Sequence, residues 1–151
     1  MSNRLIIPLL CAASAVAFAH GTTGHKATLA VSGEKNHSKA TLSSTFTVNA
    51  SQGVEFKLDV RNNTNRMLEL RYPTGKTHDF VVQDASGKEV WRWSKGRMFT
   101  SGVQNKLVKA RDIAAFTETW RAENVHGKFT AIAVLTSNNH PIEERVDFEL
   151  K

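Results

Sequence analysis

Two groups of residues in this chain have types and spacing suited to chemistry. The first lies near the amino end. If the chain is cut after Ala19, His20 becomes the terminal residue, and its α-amine and imidazole can chelate one ion together. His25, five residues further on, offers a second imidazole. Nitrogen donors of this kind suit Cu(II). The opposing reading is a flexible leader whose histidines bind nothing. The second group is Ser94-Lys95-Gly96-Arg97-Met98-Phe99. As an exposed loop, it offers Lys95 or Arg97 to an acidic pocket on a partner, and Met98 or Phe99 to an apolar one. The opposing reading folds Met98 and Phe99 back over Trp91 or Trp93 as core, with Lys95-Gly96 a plain turn.

No familiar catalytic pattern accompanies these groups. The sequence has no Gly-x-Ser-x-Gly elbow, no phosphate-binding glycine loop and no His-Glu-x-x-His. The carboxylates mostly alternate with apolar residues, as on the outward face of strands. A non-enzymatic protein with no cofactor is therefore expected, copper being the alternative. Neither His37 nor His78 has ligand spacing to a partner, and His78 is expected at a surface or strand edge.

The first nineteen residues have the pattern of an export signal: Arg4, an apolar run from Leu5 to Phe18, and Ala17-Phe18-Ala19 as cleavage site. That run is shorter than the roughly 20 apolar residues of a spanning helix. Cys11 follows Leu9-Leu10 rather than small residues, which argues against lipidation, so no stable membrane anchor is expected. Removal of residues 1–19 leaves 132 residues without cysteine, enough for one disulfide-free domain in a secreted or periplasmic setting. The net charge of +6 is scattered, with no basic arm or helix stripe, so nucleic acid is not an expected partner. A solvated basic surface accounts for it, as would attraction to an acidic partner.

Residues 20–40 are small and polar and read as a flexible leader, with one weak strand at 27–31. From there to residue 151 the chain alternates with period two. Val54, Phe56, Leu58 and Val60 alternate with charged residues, then Leu68, Leu70 and Tyr72 do the same. Phe80 and Val82, Glu89–Trp93, Val103–Val108, Ile113–Trp120, Gly127–Leu135 and Ile142–Leu150 continue the series. Asn62-Asn63-Thr64-Asn65, Asp84-Ala85-Ser86-Gly87 and Ser137-Asn138-Asn139-His140-Pro141 are turns by composition. The pattern predicts an all-β, immunoglobulin-like antiparallel sandwich of about eight strands, one domain and a monomer. Trp91 and Trp93, two apart on one strand, share a face. They and Trp120 serve either as core or as an exposed platform for carbohydrate or protein, and their size favours the core.

The run Val90-Trp91-Arg92-Trp93-Ser94, the following Gly96 and Met98-Phe99, and the downstream Phe116-Thr117-Glu118-Thr119-Trp120 resemble the BsuPI-related intracellular proteinase inhibitor family. The likeness extends over about 90 residues, from near Val54 to Leu135, and takes in Asn62-Asn63-Thr64 and Asp79-Phe80-Val81-Val82. It implies a binding domain that inhibits a serine protease, with residues 94–99 as the partner loop. A structural or adhesive module is the other expectation for such a domain. Lys109-Ala110-Arg111-Asp112 stands where the family usually has a Pro-Gly-Glu-like turn, and the family is named intracellular while this chain carries an export pattern, so the target would be an extracytoplasmic protease. The amino-terminal histidine arrangement is similar to that of exported copper-binding β-sandwich proteins.

Overall fold

The computed structural model describes residues 40–51 and 53–151, and they form an antiparallel all-β sandwich of nine strands. The strands are β1 (Leu42–Asn49), β2 (Val54–Asn62), β3 (Leu68–Tyr72), β4 (His78–Asp84), β5 (Glu89–Arg92), β6 (Gln104–Val108), β7 (Ile113–Trp120), β8 (Gly127–Leu135) and β9 (Ile142–Leu150). One face has the order β1-β2-β7, with β3 and β6 paired as a separate ribbon; the other has the order β5-β4-β8-β9. The weak strand expected at 27–31, the leader, His20 and His25 lie outside the described residues.

The alternation seen in the sequence decides which side of each strand is buried. On β2, Val54, Phe56, Leu58, Val60 and Asn62 point inward while Glu55, Lys57 and Arg61 face water. On β8, Phe129, Ala131, Ala133 and Leu135 meet them across the interior. Phe56 is at the centre, with ring centroids 5.6 Å from Phe80 and 5.2 Å from Trp91. A fully buried aromatic ring of this kind contributes about 1.5–3 kcal/mol through burial alone. Two expected boundaries shift. β5 ends at Arg92 rather than Trp93, and β6 begins at Gln104, leaving Val103 exposed. The ninth strand is β1, not among the expected ones, which pairs along β2.

The Asn62 turn has its own internal scaffold. The fully buried Asn62 amide donates towards the carbonyls of Arg66, Val108 and Lys109, while its oxygen accepts from the amide and hydroxyl of Thr64. One side chain thus satisfies backbone groups of the β2–β3 turn and of the β6–β7 turn, which would otherwise be stranded. In the latter, Arg111 adopts a positive φ of 62°, a conformation that glycine takes more readily. Its guanidinium Nε donates to Asn65 Oδ1 at 2.9 Å and ties the unusual turn to its neighbour.

Candidate functional site

β4 is buried on both sides from His78 to Val82, which strand alternation alone does not produce. Phe80 and Val82 belong to the sandwich core. The opposite side is covered by the chain leaving β5. Arg92 pairs with Val81, so the register brings Ser94 to the level of Asp79. The ladder continues one bond past β5, with the Trp93 amide donating to the Phe80 carbonyl.

Asp79, 2 % exposed, is the hub of this junction. Its carboxylate accepts from Ser94 Oγ at 2.6 Å and the Ser94 amide at 3.2 Å. It also meets Lys76 Nζ at 2.6 Å and Arg92 Nη1 at 3.0 Å. Burial alone would raise the carboxyl pKa, but the hydrogen bonds from Lys76, Ser94 and Arg92 together hold it below its ordinary value. A buried charge needs such partners, and here the partners are the entrance of the 94–99 loop and the β3–β4 turn.

The exit of the loop is fastened to the same turn. The Gly75 amide donates to the Thr100 carbonyl at 2.8 Å. The two backbones approach so closely that a Cβ on residue 75 would lie 2.5 Å from Thr100 Oγ1. Both ends of the loop are therefore held by residues 75–79.

Between these anchors the candidate residues have different environments. Ser94 and Phe99 are half-buried, whereas Lys95, Gly96, Arg97 and Met98 are exposed. Residues 93–96 form a tight turn, with Lys95 N bonded to Arg92 O and Gly96 at φ 76°. Arg97 bends back, its Nε donating to the Trp93 carbonyl at 3.0 Å and its guanidinium lying 4.7 Å from the Trp93 ring. Phe99 packs on the same indole with centroids 5.5 Å apart. Met98 alone projects fully, at 98 % exposure. Folding back as core thus describes Phe99 but not Met98.

The tryptophans face the body of the protein, though only Trp120 is buried, at 9 % exposure. Trp91 stacks on Phe56 and Trp120, at 5.2 and 5.7 Å, and both it and Trp93 are half-buried. They pack as supports rather than as a flat platform. His78, expected at the surface, is instead buried: it stacks on Trp93 at 4.4 Å and lies 3.3 Å from Glu118. Burial lowers its pKa, against an opposing pull from Glu118. A neutral ring protonated on Nε2 satisfies both nitrogens, donating to Glu118 and accepting from Thr77 at Nδ1. Among the described residues, no group of three or more His, Cys, Asp or Glu side chains is arranged to hold a metal, and no helix is long and apolar enough to cross a membrane.

Residues 40–140 match the BsuPI family, described as intracellular proteinase inhibitor. The chain belongs to the BsuPI family. The matched stretch contains both anchors and the whole loop. No curated protein matches the sequence. Among solved structures, the chain is similar to the yjhA protein from Bacillus subtilis, with 14 % identity over 72 % of this chain and 91 % of that one, and a TM-score of 0.38. The Trp91-Arg92-Trp93-Ser94 run that carries the resemblance has clear structural work here: Arg92 and Ser94 bind Asp79, while Trp91 and Trp93 support the core side.

Proposed function

We propose that this BsuPI chain is an exported, non-enzymatic inhibitor of an extracytoplasmic serine protease, acting through residues 94–99. The observation that carries the reading is the loop fastened at both ends to residues 75–79. A protease cleft binds extended segments, and a segment already held in place loses little freedom on binding. Membership of a proteinase-inhibitor family supports the partner class, and the signal pattern at residues 1–19 supports export. The family's description as intracellular is the opposing consideration on location.

The test is a titration of purified protein against subtilisin-like and trypsin-like proteases. The expected result is stoichiometric inhibition with an affinity tighter than about 1 μM. Full protease activity at excess inhibitor, across both classes, would remove the proposal. Export is tested separately by mass spectrometry of protein recovered outside the cytoplasm, where a mature chain beginning at His20 is expected.

A further inference from the structure

We infer that Met98 is the residue that enters the protease, and that the target is a serine protease with a deep apolar primary pocket rather than an acidic one. The inference rests on the inhibitory reading of the 94–99 loop and decides among its four candidate side chains.

A primary-pocket residue must meet two conditions. Its side chain must be free to leave the inhibitor surface, and its backbone must lie outside the tight turn. Lys95 fails the second, because it sits inside the turn closed by its own amide on Arg92 O and followed by Gly96 at φ 76°. Arg97 fails the first. Its guanidinium is engaged twice, by the Trp93 carbonyl and by the Trp93 ring. Withdrawing it would sacrifice the contacts that shape the loop. Phe99 fails the first also, being stacked on Trp93.

Met98 meets both. It is 98 % exposed, and residues 97–100 carry neither turn nor helix. A methionine left wholly in water leaves apolar surface unburied, which a partner pocket would remove from solvent. Its unbranched thioether adapts to a narrow apolar pocket. On either side the chain is fixed, by Arg97 on Trp93 before it and by Phe99 on Trp93 after it. The two basic residues of the loop, which would suggest an acidic pocket, thus serve the turn and the scaffold instead.

The experiment compares inhibition constants of the full chain against chymotrypsin and subtilisin, whose primary pockets are apolar, and against trypsin, whose pocket is acidic. The expected wild-type preference is for the apolar pockets. Met98→Asp should weaken that inhibition at least about 30-fold, as loss of a central anchor does, and Met98→Lys should shift the preference towards trypsin. Both variants alter a side chain that touches almost nothing, and unchanged thermal unfolding confirms their fold. Inhibition of trypsin in preference, abolished by Lys95→Met or Arg97→Met, would overturn the assignment and leave protease inhibition standing. Inhibition of chymotrypsin untouched by Met98→Asp would do the same. Absence of inhibition of all three enzymes would overturn both the assignment and the inhibitory reading.

Discussion

The imidazole of His78 stacks on the indole of Trp93 with ring centroids 4.4 Å apart and nearly parallel planes, 21° from each other. The same indole carries Arg97 and Phe99, so the ring that organises the loop rests on a titratable support.

The burial of His78 at this stack gives a pH dependence of stability. The folded pKa of His78 lies below its ordinary value, so the unfolded chain takes up a proton that the folded one resists. Stability is then full above the ordinary imidazole value of about 6.5 and declines as pH falls below it, by at most 1.4 kcal/mol per pH unit or so. Glu118 and Asp79 oppose the shift and Lys106 reinforces it. Asp79, whose pKa is lowered, adds a second loss once pH drops below about 4. Denaturant midpoints between pH 7 and 5 should fall in the wild type and flatten in His78→Gln; parallel slopes would assign the effect elsewhere.

Gly75 and Thr100 should behave as a coupled pair. Gly75→Ala places a methyl against Thr100 Oγ1 and should destabilise by about 1–3 kcal/mol. Thr100→Ala removes that oxygen, so the double variant should recover part of the loss. A double-mutant cycle with additive effects would show that the two residues do not crowd each other.

Asn62→Ala should cost at least about 3 kcal/mol, because it strands backbone groups in two turns at once. Chemical denaturation measures this directly. A cost below 1 kcal/mol or so would mean that water replaces the side chain.

Tyr72 makes the opposite case. It is fully buried, and its hydroxyl has no hydrogen-bond partner among the described residues. Burial pushes its pKa up to about 12. Tyr72→Phe should be neutral or stabilise by about 1 kcal/mol. It should also delay alkaline unfolding, since the unfolded phenol ionises near pH 10 while the folded one resists ionisation. A clear loss of stability would reveal a missing partner.

Much of the fold was legible because β2, β7 and β9 alternate cleanly. β4 was not, since both of its sides are covered by residues far off in sequence: Arg92 and Ser94 over Asp79 on one, Glu118 beside His78 on the other. Period two marks His78 and Asp79 only as polar; it cannot say what lies over them. A usable signal existed in Trp-Arg-Trp-Ser itself. Two large apolar residues on one face force Arg92 and Ser94 onto the other, where an acidic partner is the natural complement. The Met98–Phe99 pair was legible as a candidate but not as a pair with opposite roles. That difference depends on Trp93 lying under one and not the other.

The position of the loop in the strand order has one more consequence. The peptide bond between Met98 and Phe99 divides β1–β5 from β6–β9, yet β2 pairs with β7, β3 with β6 and β4 with β8. Every sheet therefore contains strands from both sides of that bond. If a protease hydrolyses it, adding water to give a Met98 carboxylate and a Phe99 ammonium, the two pieces remain laced together by three ladders. The clipped protein should elute as one species from a sizing column and separate only under denaturing conditions. Residues 1–98 and 99–151, produced as separate polypeptides, should likewise reassemble into a working whole.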